Sequence, residues 1–180
     1  MINFLLIVFV VIVILLLVRP SEVIARWHHH FDDLQLSSQD CYKTIQECIE
    51  KRQVPDARYS RMAFNEASAI SSKREYLRVD NVTYIFDICA APYGTGFFIS
   101  WWLRESKSLA ELLMIRFFPS FGQKTYFQLD TQTMFREAVH RSVLDAIAQM
   151  TTGKGVRGLS ELEQQITTNP KFSFQIKTPT

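Results

Sequence analysis

Residues 72–103 read SKREYLRVDNVTYIFDICAAPYGTGFFISWWL, and the stretch contains three segments with the pattern of β-strands. In the first, apolar and polar residues alternate up to Val79, which is typical of a strand with one buried face. An Asp-Asn pair separates it from a second, more apolar segment that ends at Cys89, and a Gly-containing turn leads into a third, 97–103. Short turns of this kind join antiparallel neighbours. We therefore predict an antiparallel meander whose last two strands are central.

The sequence around this meander predicts an α+β domain over residues 37–166. Ser37 or Ser38 can cap a helix that ends near Arg52, and Asp130 can cap a second, longer amphipathic helix. Each of these helices has an apolar stripe that must be buried against another element. The expected architecture is a four- or five-stranded, mostly antiparallel sheet with helices on one face.

Two shorter segments, 57–64 and 124–128, also favour strands. From Thr167 onward the chain is polar and contains two prolines. Segments of this composition at a chain terminus are often poorly ordered. We therefore expect residues 167–180 to form a loose tail.

Fifteen consecutive apolar residues, FLLIVFVVIVILLLV, occupy positions 4–18 and end at Arg19. At about 1.5 Å per residue, the segment from Met1 to Val18 spans roughly 27 Å, near the thickness of a bilayer core. A cleaved signal peptide would have basic residues before this run and a small-x-small cleavage site after it, and the sequence has neither feature. A buried core helix is rarely so uniformly apolar. The run therefore predicts an uncleaved transmembrane anchor over residues 1–19.

Basic residues near the anchor indicate its orientation. Arg19 and Arg26 follow the apolar run, and no basic side chain precedes it. By the positive-inside tendency, the rest of the chain is then cytoplasmic, attached to the cell (inner) membrane by a single pass. Three cysteines form no tight pair, which agrees with a reducing compartment.

The segment after the anchor, residues 20–36, has the spacing of an amphipathic helix. Val23, Trp27 and Phe31 are four positions apart. Tryptophan is favoured in the headgroup zone of a bilayer. We therefore predict a juxtamembrane helix in which Trp27 contacts the membrane.

The histidine-rich part of this segment is a candidate metal site. On a helix, His28 would lie one turn before Asp32, and His29 one turn before Asp33. Adjacent histidines splay around a helix, so at most two of them share a face. The alternative is a polar helix surface whose histidines meet headgroups or water, and the sequence predicts no bound cofactor.

Cys89 and His140 are the best candidates for a nucleophile and its base, and nothing in the sequence brings them together. A cysteine in an apolar strand is more often inert core. Asp87, two positions before Cys89, can form a structural ion pair with Arg74 or Arg78 across the predicted hairpin. As a general base it would need an acid partner that the sequence does not identify.

Aromatic residues are concentrated in two places. Neighbouring strand residues point to opposite faces, so Trp101 and Trp102 cannot both enter one core, and one of them must meet a helix layer, a partner or lipid. The second place is residues 109–121, which include Phe117 and Phe118. This segment is too short to span a bilayer and is either a core helix or a loop at the membrane interface. If Phe117 and Phe118 are exposed, they would mark a contact with a protein or a membrane.

The charge balance bears on the class of partner. The chain carries 20 Lys and Arg against 18 Asp and Glu, whereas nucleic-acid-binding domains usually have a concentrated basic face. We therefore expect no nucleic acid, and predict a non-enzymatic binding or assembly module whose partners are the lipid bilayer and another protein. The alternative is a membrane-tethered enzyme, dependent on a metal or on a Cys/His pair, that acts on lipid or a small intracellular molecule.

Overall fold

The computed structural model describes residues 23–64, 74–107, 111, 114, 115, 117, 118 and 122–170. The predicted anchor, residues 1–19, lies outside the described residues. Within them, we find no helix that is both long and apolar enough to cross a bilayer.

Six strands form one sheet in which every neighbouring pair is antiparallel. In chain order they are β1 (Val23–Phe31), β2 (Arg58–Phe64), β3 (Arg74–Asp80), β4 (Tyr84–Tyr93), β5 (Gly96–Glu105) and β6 (Thr167–Thr168). Their order in the sheet is β2-β3-β4-β5-β1-β6. The predicted meander of β3, β4 and β5 is confirmed, and the α+β class with it, although the sheet has six strands where four or five were expected.

Two helices pack on one face of this sheet, which we call the helix face. They are α1 (Ser38–Lys51) and α2 (Tyr126–Thr151). The Tyr42 hydroxyl of α1 donates to the Glu75 carbonyl at 2.6 Å. The Phe135 ring of α2 lies against the rings of Tyr84 and Phe86. Every second residue of β4 and β5 points toward the helices. These side chains form the hydrophobic core together with the apolar stripes of both helices.

The start of α1 agrees with the prediction, and the start of α2 does not. The Ser37 hydroxyl accepts from the Asp40 amide and caps α1. Thr125 and Gln128 form a reciprocal capping box at the start of α2. The predicted strand 124–128 is therefore wrong, and the helix begins before Asp130 because the Thr125 cap satisfies its first amides.

The predicted juxtamembrane helix over residues 20–36 is also wrong in its described part. Residues 23–31 form β1, which pairs with β5 from Val23 opposite Arg104 to Phe31 opposite Phe97. The backbone N–H and C=O groups of β1 form their hydrogen bonds with β5, so they do not require the internal hydrogen bonds of a helix.

Residues 167–169 are held against β1 rather than loose. Thr168 lies opposite Ala25, and the Asn169 amide donates to the Ile24 carbonyl at 2.9 Å. The prediction of a loose tail is wrong at its start, because pairing with an edge strand orders these residues. Residues 171–180 lie outside the described part of the chain.

Candidate functional site

The sheet face opposite the helices carries a concentration of arginines. We call it the arginine face, and define it by Arg26 of β1, Arg58 of β2, Arg74 and Arg78 of β3, and Arg104 of β5. Strand alternation places these side chains on one side because each occupies a register position of the same parity. Asp80 and Asp87 are the carboxylates that the described strands contribute to this face. The arginines therefore outnumber the carboxylates by three.

Asp87 lies at the centre of the arginine face between two arginines. Arg78 is directly opposite on β3, and its Nε donates to Asp87 Oδ1 at 2.7 Å. Arg104 donates from Nη2 to the other oxygen, Oδ2. The predicted ion pair with Arg78 is confirmed, and Arg104 was not predicted. Because each oxygen accepts from a guanidinium, Asp87 orients two cations and is poorly placed to act as a general base.

Trp101 and Trp102 point to opposite faces, as predicted. Trp101 is completely buried under α2, so of the two candidate contacts it is the one that meets the helix layer, and it does not reach a partner or a membrane. Trp102 is half-buried on the arginine face, where the Arg26 guanidinium lies 5.8 Å from its ring centre. This pair combines a cation and an aromatic ring on exposed sheet surface. Whether Trp102 contacts a partner stays a prediction.

Trp27 is part of the core and does not face a membrane. Its indole Nε1 donates to the Glu163 carbonyl at 2.6 Å, and its ring lies 5.6 Å from that of His140. The predicted membrane contact of Trp27 is therefore wrong, because on strand β1 its side chain points toward α2.

The metal site predicted from helical spacing does not form. On β1, His28 points to the arginine face and His29 to the helix face. Asp32 and Asp33 follow the strand and are exposed. The strand period of two separates the residues that a helix would have brought together. Throughout the described part of the chain, no group of three or more His, Cys, Asp or Glu residues is placed to hold a metal ion.

Cys89 and His140 lie on opposite sides of the sheet and cannot form a nucleophile–base pair. Burial raises the pKa of the Cys89 thiol, which disfavours the reactive thiolate. His140 borders a surface cavity of about 310 Å³, and both of its nitrogens are engaged. Its Nδ1 accepts from Trp101 Nε1 at 3.1 Å, so Nε2 carries the proton and donates to the Gln164 carbonyl at 2.8 Å. These bonds make His140 a structural link between β5, α2 and the segment before β6.

The buried state of His140 predicts that the domain loses stability in mild acid. Burial lowers the pKa of His140 below its usual 6.5, although the Gln164 carbonyl opposes the shift, and burial also lowers the pKa of His29. The unfolded chain therefore takes up these protons first as the pH falls. We expect the stability to be complete above about pH 6.5 and to decrease below it, measured as the thermal unfolding midpoint from about pH 7.5 to about pH 5.5.

A His140→Gln variant is the control for this effect. Its unfolding midpoint should fall less over the same pH range, with a remaining decrease from His29. Equal decreases in the wild type and the variant would contradict the role assigned to His140.

Phe117 and Phe118 are exposed in the structure, with 71% and 54% of their surface accessible. Of the two interpretations of residues 109–121, a core helix is therefore wrong for these side chains. Their predicted contact with a membrane or a protein stays a prediction.

No family model matches this chain, and no curated protein matches it. The chain is similar to the crystal structure of TTHA0849 from Thermus thermophilus, with 11% sequence identity and a TM-score of 0.29. The similarity covers 71% of this chain and 98% of that one. A TM-score of this size does not establish a shared fold.

Proposed function

We propose that the protein is a single-pass membrane protein whose α+β domain is a non-enzymatic binding module at the cytoplasmic face of the cell membrane. The arginine face is the observation that carries the binding role in this proposal. We propose further that its partner is an acidic segment of another protein.

The membrane part of the proposal is supported by the apolar run at positions 4–18, which ends at Arg19. A run of this length and composition suits a bilayer core, and the basic residues after it favour a cytoplasmic domain. The domain then lies at the membrane surface, where its partner would be a membrane protein or a protein recruited there.

The chemistry of the arginine face supports an acidic protein segment as the partner. Arginine and tryptophan are the residue types that most often dominate binding energy at protein interfaces. Arg26 and Arg74 are exposed, and neither lies within ion-pair distance of a carboxylate in the described part of the chain. Arg78 and Arg104 are already fixed by Asp87, which reduces the entropy lost when a partner binds.

Nucleic acid is a less favourable partner for this face. Asp80 and Asp87 lie among the arginines, and the chain as a whole has a net charge of only +2. Binding to nucleic acid usually depends on many uninterrupted phosphate contacts. The enzymatic alternative has less support, because Cys89 and His140 are on opposite sides of the sheet.

Photo-cross-linking in native membranes tests the proposal. Benzoylphenylalanine in place of Trp102 would report on the arginine face, and the same residue in place of Met134, which is exposed on α2, is the matched control. We expect a discrete protein adduct from position 102 in the membrane fraction that resists alkaline carbonate, and none from position 134.

Charge reversal adds the specificity control. Arg26→Glu with Arg74→Glu should weaken the adduct by about tenfold or more, which corresponds to about 1.4 kcal/mol of binding. Arg141→Glu, an exposed site on α2, should leave it unchanged. The proposal would be contradicted if the yield of the adduct stayed the same with Arg26→Glu and Arg74→Glu. Release of the protein from the membrane by carbonate would also contradict it.

A further inference from the structure

Several exposed aromatic side chains of the described residues belong to the end of the sheet at which β1 begins. We call it the Val23 end, and define it by Val23, Asp80, Tyr84 and Glu105. These residues belong together because Val23 pairs with Arg104, Tyr84 with Glu105, and Asp80 with Ile85 next to Tyr84. The chain therefore enters the sheet at this end.

The first turn of α2 reaches the same end. The Tyr84 hydroxyl donates to the Gln128 carbonyl at 3.1 Å, and Lys124 forms an ion pair with Glu105 at 3.1 Å. These contacts fix the position of the residues at the start of the helix. Phe127 borders a cavity of about 400 Å³ together with residues of the β3–β4 turn and Glu111.

Large apolar side chains at this end are exposed to solvent. Val82, at the tip of the β3–β4 turn, is 71% exposed, and Phe127 is 78% exposed. Tyr126 next to it is exposed as well. A contiguous group of exposed aromatic and aliphatic residues usually marks a contact surface.

Phe117 and Phe118 are further exposed aromatic residues in the chain between Glu111 and Lys124. The Phe118 amide donates to the Met114 carbonyl at 2.8 Å, which closes a helical turn. This turn lies between Glu111 and Lys124, and both of those residues are at the Val23 end. Phe117 follows Glu111 by six positions and Phe118 precedes Lys124 by six, so each lies within about 20 Å of one of these residues.

The backbone of Val82 is a second sign of function at this end. Its φ angle is +63°, in the left-handed region that a β-branched residue rarely occupies. Asparagine or glycine would fit this turn position without strain. Strained backbone conformations are concentrated at functional sites, so an exposed valine in this conformation points to a role in binding.

The length of the preceding chain indicates the occupant of this surface. The apolar run ends at Val18, five positions before Val23, and five residues span at most about 18 Å. If the run lies in a bilayer, the Val23 end must be close to the headgroups. The basic residues Arg58, Lys107 and Lys124 at this end form ion pairs with Asp80 and Glu105, so apolar insertion rather than charge would drive the contact.

We infer that the Val23 end inserts Val82, Phe117, Phe118, Tyr126 and Phe127 into the headgroup region of the membrane that holds the anchor. The inference rests on the anchoring part of the proposed function. It gives the domain a second membrane contact and a defined orientation, in which the strands rise away from the membrane. The arginine face is then presented sideways to a partner at the same membrane.

Spin labels in the full-length chain test this orientation. Nitroxides at Val82→Cys and Phe127→Cys are compared with one at Tyr93→Cys, an exposed aromatic at the last position of β4, at the opposite end of the sheet. The ten-residue strand β4 separates the two ends by about 30 Å. The protein is reconstituted in vesicles of phosphatidylcholine and phosphatidylglycerol, and collisions with oxygen and with a water-soluble nickel chelate are measured.

We expect the labels at positions 82 and 127 to favour oxygen, as at a depth of about 5–10 Å, and the label at position 93 to favour the nickel chelate. If vesicles retain the chain in carbonate while all three labels favour nickel, the docking inference alone is overturned. Labels at 82 and 127 that are shielded from both reagents would overturn it in favour of a protein contact. Release of the chain by carbonate would overturn the anchoring proposal and the docking inference together.

Discussion

Replacing Trp101 by Ala is expected to lower the free energy of unfolding by about 3–5 kcal/mol. The indole is completely buried between β5 and α2, where it contacts the rings of Phe86 and His140. Its removal leaves a cavity and also leaves His140 Nδ1 without the donor that it accepts from. Urea denaturation of the full-length protein in detergent micelles, followed by circular dichroism, measures the loss.

Two variants separate the parts of this effect. Trp101→Phe keeps most of the buried volume and removes the N–H group, so we expect a smaller loss of about 1–2 kcal/mol. Trp102→Ala changes the next residue on the opposite, half-exposed face and should cost about 1 kcal/mol or less. Equal losses at positions 101 and 102 would contradict the assignment of Trp101 to the core.

The meander could be predicted from sequence because its signals are local. Alternation and turn residues lie within short windows around β3, β4 and β5, so each strand and its connection can be recognised without knowledge of the rest of the chain. The same holds for α1, whose cap at Ser37 adjoins its apolar stripe.

The helix prediction for the residues of β1 is wrong because the spacing of their apolar side chains is ambiguous. Val23, Trp27 and Phe31 are four positions apart, and a spacing of four is compatible with one helix face and also with one strand face. The alternation of exposed Arg26 and His28 with the buried Ala25 and Trp27 indicates a strand rather than a helix. Without the partner strand β5, that alternation is too short to decide.

The arginine face depends on pairing that the sequence does not encode locally. Alternation within β3 indicates that Arg74 and Arg78 share a face, and the hairpin brings Arg78 to Asp87. Arg104 reaches Asp87 only through the register of β4 and β5, and Arg26 only because β1 returns beside β5. The arginine face is therefore determined by the register of the strands and not by a local residue pattern.

Asp87→Ala is the second change with a large expected effect, about 3 kcal/mol of stability. The Arg78 and Arg104 side chains are only 18% and 24% exposed, so removing the carboxylate leaves two mostly buried cations beside each other. Water can solvate them only in part, and they also repel each other. Urea denaturation in micelles measures the loss, and it should persist at high salt because the pair is shielded from solvent.

Asp80→Ala is the matched control for this prediction. Its partner Arg58 is 66% exposed, so that pair should contribute about 1 kcal/mol or less, and salt should reduce the contribution further. The double variant Asp87→Ala with Arg78→Ala should be less destabilised than the sum of its single changes, because Arg78 no longer repels Arg104. If Asp87→Ala costs no more than Asp80→Ala, the carboxylate does not hold the arginine face together. In that case Arg78 and Arg104 must be positioned by other contacts, and the preorganisation assigned to the partner surface would have to come from them.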